Sequence, residues 1–311
     1  ILFSLGYMTV GYVYAVVFSM LVALIWMQVG LWRHLARYPR PMVASYHLLP
    51  AWKRYAKLMY GNSLIGFWIA PLSRFLVTSV GGVAAVGVLM VADTLYQLPG
   101  MFHRMFLSIV APMLAAANST GNRAEVAKVY YLATDWVVRL ALPLIIFLFV
   151  YSEPVLSLYG DRFARDGANL LMLLLFAQLL NFICGPIGMI LNMCGLERKA
   201  FVITCVSIAL NALLLITLVP LWGVQGVGIA ILVVTLFSNL SSLVVASRSI
   251  GLRWWCDRYI HWVLPAIVTT FISVIVRCFL PSGLYVLAVC LGCMFVTFHG
   301  VFIMLHGLNE D

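Results

Sequence analysis

The feature that most limits what this chain can become is its succession of long apolar runs, separated by short polar or Gly/Pro-containing breaks. The hydrocarbon core of a bilayer is about 30 Å thick and takes roughly 20 apolar residues of α-helix to cross. Helices serve because they satisfy every backbone N–H and C=O without water. Nine such runs are read, at about residues 3–32, 57–79, 83–117, 129–151, 167–194, 200–219, 224–247, 260–280 and 284–306. Only 9% of residues are charged, against about 25% in ordinary soluble domains, so no soluble surface can be built. The expected class is an all-α integral membrane protein of about nine transmembrane helices. The third run is longer than a crossing needs, and Pro99 and Pro112 within it predict a kinked helix that extends past the bilayer.

The basic residues alternate from loop to loop. Arg33, Arg37, Arg40, Lys53, Arg54 and Lys57 fill the first long connection, and every second connection after it repeats the bias: Arg123 and Lys128, Arg198 and Lys199, then Arg248, Arg253 and Arg258. The intervening loops hold only Arg162 and Arg165, offset by Glu153, Asp161 and Asp166. Short cytoplasmic loops are enriched in Lys and Arg, so the basic side is cytoplasmic and the C-terminus lies on it. One span more or fewer would throw the later loops onto the wrong face. The same bias accounts for the net charge of +9, with anionic lipid headgroups as the partner and no nucleic acid required. Ile1 is not an initiator methionine and the first apolar run begins at once, without the basic region of a signal peptide. A fragment with further helices upstream is therefore expected.

Cys184, Cys194, Cys205, Cys256, Cys278, Cys290 and Cys293 fall mostly in apolar runs, where cysteine behaves as a small hydrophobe. Cys290 and Cys293 form a C-x-x-C, but mid-helix, with no second pair and no flanking His. No cofactor or metal is expected. Phosphate-loop, zinc-protease and nucleophile-elbow motifs are not found, so the reading is a transporter and not an enzyme.

Polar residues inside spans carry the remaining signal, because each must face a bundle interior or an aqueous cavity. Asp93, Gln97, Gly100 and Arg104 fall at i, i+4, i+7 and i+11, one face of a helix. Asp135 and Arg139 stand at i, i+4 and can pair. Gln178, Asn181, Gly185, Gly188 and Asn192 share a face of the next helix, and Thr204, Ser207 and Asn211 a face of the one after. Such stripes read equally as close helix packing and as cavity lining. The charges weigh more, since Arg or Asp at a helix centre costs about 2.5–3.5 kcal/mol even on lenient scales. Asp135 with Arg139 can be a self-cancelling pair, Arg74 and Arg104 can reach toward headgroups, and Arg277, with Pro281 after it, lies at the membrane exit. If Arg74, Arg104 and Arg139 turn inward instead, they form an arginine cluster suited to a phosphorylated or other anionic substrate.

Motifs over about 170 residues sharpen this. Between Asn62 and Ala117 stand Ser73-Arg74 followed by a Gly-Gly at 81–82, then Val86-Gly87, Ala92, Leu98-Pro99 and Val110-Ala111-Pro112. Tyr159-Gly160-Asp161-Arg162-Phe163 with Gly167 follows, and then Pro220-Leu-Trp-Gly223-Val-Gln-Gly226-Val-Gly228-Ile-Ala230. Together these resemble the polysaccharide-transport, O-antigen flippase branch of the multidrug/oligosaccharidyl-lipid/polysaccharide exporter superfamily. Ser73 stands where that branch shows Asp.

The resemblance implies a MATE-like helical bundle with two six-helix lobes and two extra helices. Residues 1–32 would be the last helix of the N-terminal lobe, 33–56 a cytoplasmic inter-lobe linker, 57–247 the C-terminal lobe, and 248–311 the two additional helices and tail. It further implies flipping of undecaprenyl-diphosphate-linked oligosaccharide, as for O-antigen and lipopolysaccharide, across a bacterial inner membrane by alternating access. Arg74, Arg104, Arg139, Gln97, Gln178 and Asn181 would bind substrate. Asp93 and Asp135 would be the candidates for coupling to H+ or Na+, and the polysaccharide polymerase machinery would be a partner. Rival readings are a cation-coupled multidrug antiporter, which needs a carboxylate-dominated cavity, and a membrane-embedded polysaccharide polymerase or ligase. A purely structural scaffold leaves the intramembrane charges unexplained.

Overall fold

The computed structural model describes residues 8–36, 69–253, 260–279 and 284–307, with isolated positions between 53 and 64. The chain divides into two compact units, Ile1–Lys53 and Arg54–Asp311. Beyond residue 36, all of the expected 33–56 linker except isolated helical positions lies outside the described residues. In the first unit, α1 (Met8–Ala36) exposes large apolar side chains such as Phe18, Trp26 and Trp32. A helix apolar on all sides takes lipid or another apolar surface as its surroundings.

In the second unit, α2 runs Ile69–Ser119, too long at 51 residues for one straight crossing. It turns at Gly82, where φ is 70° and ψ is −176°, a backbone that only glycine adopts without strain. A Cβ placed on Gly81 would stand 2.6 Å from the Cβ of Ala85, far inside the roughly 5–6 Å between i, i+4 neighbours of a continuous helix. The two runs expected as separate spans are thus two arms, 69–81 and 83–119, meeting at a sharp corner. The helix breaks at this glycine pair, while Pro99 and Pro112 sit within helical backbone.

Next comes α3 (Arg123–Val150), whose N-cap Asn122 accepts from the N–H groups of Ala124 and Glu125. The connection expected to be a plain loop over 152–166 contains a short helix, α4 (Ser152–Ser157). The run expected as one span over 167–194 is interrupted at 184–186, giving α5 (Asp161–Ile183) and α6 (Ile187–Met193). Then follow α7 (Glu197–Trp222), α8 (Val224–Ile250), α9 (Ile260–Phe279) and α10 (Leu284–Gly307). Among the described residues seven helices are long and apolar enough to cross a membrane, and His261–Arg277 is a shorter apolar helix. The chain is a multi-pass, all-α membrane protein.

Helix α3 is the most buried, and it packs on α2 and α5 on one side and on α9 and α10 on the other. Helices α7 and α8 pair with each other and lie against α2 and α5. One hydrophobic core runs through α2, α3 and α5, with Leu170, Leu171 and Leu175 fully buried; a second gathers Leu114, Tyr130, Ile190 and Leu191.

The alternating directions of the helices are visible at their ends. Asn118 donates to the Met193 carbonyl, Lys199 to Ser249, and Tyr131 to the Arg253 carbonyl, so the connections that carry Arg123, Arg198 and Arg253 gather at one end. The Gly81-Gly82 corner, Arg162, Arg165 and the Trp222-Gly223 turn line one cavity at the other.

The two C-terminal helices are fastened by polar bonds. Trp262 Nε1 donates to Asp135 Oδ1 at 2.7 Å, Tyr151 donates to the Ser273 carbonyl at 3.1 Å, and Arg277 donates to Glu153 Oε2 at 2.8 Å and to the Val150 carbonyl. Arg277, expected at the membrane exit, therefore bonds to protein groups. Replacing Trp262 by Phe removes a donor to a buried carboxylate and is expected to cost about 1.5–3 kcal/mol, measurable by unfolding in detergent.

Candidate functional site

The polar face of α2 is built as the spacing predicts. Gln97 Nε2 donates to Asp93 Oδ2 at 2.9 Å, one turn apart. One more turn on, Gly100 is the point where α5 comes close. A Cβ there would lie 3.0 Å from Gln178 Nε2 and 3.4 Å from Arg104 Nη1. The missing side chain thus lets a buried amide and an exposed guanidinium approach the same spot. Arg104 has no ion-pair or hydrogen-bond partner among the described residues. Beside it His103 stacks on Phe182 with ring centroids 5.7 Å apart, a neighbour that the sequence reading did not single out.

Asp135 and Arg139 form the expected pair, 2.6 Å apart, with side chains 5% and 21% exposed. Their surroundings differ from those of Arg104. The guanidinium of Arg139 lies 4.0 Å from the Phe302 ring centroid and 5.6 Å from that of Trp136, while Asp135 also holds Trp262. Arg139 thus points at α9 and α10, with its charge neutralised by Asp135 and its flat face on an aromatic ring.

The expected cluster of three arginines is not formed, because Arg139 is occupied on that side of α3. Arg74 is exposed on the first arm of α2 and its side chain has no partner among the described residues. At 1.5 Å per residue, about 12 Å of helix separates Arg74 from the Gly82 corner and about 33 Å separates Arg104 from it. Those two charges therefore sit at different distances along the bundle.

Gln178 is buried at the contact of α2 and α5. Asn181 Oδ1 accepts from Asn239 Nδ2 of α8 at 3.3 Å, so this residue joins two helices. Ser207 and Asn211 are buried, and their side-chain oxygens are unpaired among the described residues. Asn239, Trp262 and Phe302 were missed from sequence, because their partners lie 58, 127 and 163 residues away in the chain.

With this geometry in place, comparison with known proteins identifies the lineage. The model of a family described as "Polysaccharide biosynthesis protein" matches residues 1–165, more than half of the chain. The chain belongs to this family. The family fits the resemblance to polysaccharide transporters carried by the motifs around Arg74 and the Gly81-Gly82 corner.

A curated relative from Rhizobium tropici, named probable lipid II flippase MurJ, is 24% identical over 195 residues, which cover 56% of this chain and 34% of that one. The chain thus spans about a third of the length of that relative. A solved structure of the lipid II flippase MurJ in an inward closed conformation superposes with a TM-score of 0.65 at 12% identity, over 84% of this chain and 56% of that one. At that identity the likeness shows the fold alone, an all-helical membrane bundle.

Proposed function

We propose that the full-length protein is a flippase for undecaprenyl-diphosphate-linked oligosaccharide, an O-antigen or other surface-polysaccharide repeat unit. It carries this unit from the cytoplasmic to the outer leaflet of a bacterial inner membrane by alternating access. The observation that supports this best is Arg104: an exposed guanidinium without a partner among the described residues, beside the buried amide of Gln178, on a face that also carries Asp93 and Gln97. Arginine stays charged and grips phosphate oxygens with two parallel bonds, which suits a diphosphate head. The family and the relatives named as flippases point the same way.

In this reading the basic connections, and with them the C-terminus, are cytoplasmic. Helix α1 closes an N-terminal lobe, 57–247 form the C-terminal lobe, and α9 and α10 are the additional pair. Arg74 and Arg104 are successive contacts along the path. Asp135 is held by Arg139 and Trp262, which leaves Asp93, bonded to the neutral Gln97, as the candidate for H+ or Na+ coupling. That single carboxylate is a poor basis for a cation-exporting cavity, which counts against the multidrug antiporter.

The test is reconstitution of the full-length protein in vesicles. Undecaprenyl-diphosphate-linked oligosaccharide should cross from one leaflet to the other, and a matched lipid lacking the diphosphate should not. Equal movement of both lipids, or of neither, contradicts the proposal.

A further inference from the structure

The cavity at the end of the bundle away from the basic connections is unlike a lipid-facing crevice. It is a half-open cavity of about 410 Å³, lined by Gly81, Arg162, Arg165, Asp166, Trp222 and Gln225, together with small apolar side chains of α2. The volume lies within the range of small-molecule sites. Three separate connections build it: the Gly81-Gly82 corner of α2, the start of α5, and the turn between α7 and α8.

Its polar groups are of three kinds. Arg162 leans on Asp166 at 3.6 Å, a loose contact between exposed side chains, and Arg165 has no ion-pair partner among the described residues. Two guanidiniums against one lining carboxylate favour an anion, and forked N–H donors favour phosphate. Gln225 borders the cavity and ties two of these connections together, its Nε2 donating to the Asp166 carbonyl at 3.4 Å. Trp222 is 55% exposed and offers a flat, slightly polar wall of the kind that pairs an apolar body with a polar tip.

We infer that this cavity is a binding site for a phosphorylated sugar, with Arg162 and Arg165 on the phosphate and Trp222 against the sugar face. The ligand class follows from these groups alone. Its role as a station where a transported headgroup is received at the far end of the path rests on the proposed function.

Binding can be read without transport. Full-length protein in nanodiscs is titrated calorimetrically with glucose 1-phosphate, inorganic phosphate and glucose. Glucose 1-phosphate should bind at least tenfold more tightly than either of the others. The double variant Arg162→Ala/Arg165→Ala should lose at least tenfold. Arg162→Lys/Arg165→Lys, which keeps the charge and loses the fork, should fall between. Trp222→Ala should weaken glucose 1-phosphate at least threefold and leave inorganic phosphate unchanged. Equal affinity for phosphate and glucose 1-phosphate, or unchanged binding in both arginine double variants, overturns the inference.

Competition by an undecaprenyl-diphosphate-linked sugar supports occupancy by the transported headgroup, and binding without competition supports a soluble sugar phosphate. Intact binding in a protein that flips nothing removes the proposed function and leaves the site standing.

Discussion

Arg139→Ala is expected to destabilise the protein by about 3–5 kcal/mol, the cost of breaking a buried ion pair by removing one partner. Asp135 is buried and, among the described residues, keeps only the indole N–H of Trp262 when the guanidinium, 2.6 Å away, is gone. Phe302 loses the flat cation packed at 4.0 Å from its ring at the same time. Removing both charges, as in Asp135→Ala/Arg139→Ala, should cost less than the sum of the single changes, since no orphaned charge remains. Denaturant unfolding in detergent, run as a double-mutant cycle, measures this. Additive costs would show that the pair is not a unit.

Gly185→Ala is the second large effect, expected at about 2–5 kcal/mol from overpacking and positive φ together. Gly185 has φ of +60°, and a Cβ there would fall 2.0 Å from Thr134 Oγ1 and 3.0 Å from its Cβ and Cγ2. Thr134 cannot step aside, because it is fully buried and its hydroxyl donates to the Tyr130 carbonyl. Tyr130 in turn donates to the Cys184 carbonyl at 2.8 Å, so the break between α5 and α6 is clamped onto α3. Adding Thr134→Ala should recover part of the loss by removing the hydroxyl, and the cost of the left-handed backbone should remain. Thermal unfolding of the two variants reads both quantities.

This break shows where sequence reasoning stopped. Apolar length and the alternation of basic loops carry the spans, because bilayer thickness and charge asymmetry act on each segment by itself. Gly185 was read as one member of a small-residue stripe, because the residues on both sides are apolar enough for one helix; the Gly185-Pro186 pair breaks it locally, and the docking of Tyr130 and Thr134 that holds the break in place comes from another helix. Asp135 with Arg139 was legible as an i, i+4 pair for the same local reason. The direction in which that pair points was not, since it depends on Trp262 and Phe302 reaching α3 from the C-terminal helices. Gln225 and Trp222 gave no sign in isolation either. They matter because two other connections fold to the same end of the bundle.

In the proposed flippase the arginines have separate roles. Arg139 holds the fold together, while Arg104 on the open face of α2 meets the diphosphate. Flipping of undecaprenyl-diphosphate-linked oligosaccharide by reconstituted full-length protein separates them, when Arg104→Ala is compared with the charge-neutral pair Asp135→Ala/Arg139→Ala. Arg104→Ala should lose at least tenfold in rate at unchanged stability, and the double variant should fold and still transport. Wild-type rates from Arg104→Ala, with transport abolished in a folded Asp135→Ala/Arg139→Ala protein, would reverse the two roles and refute the assignment.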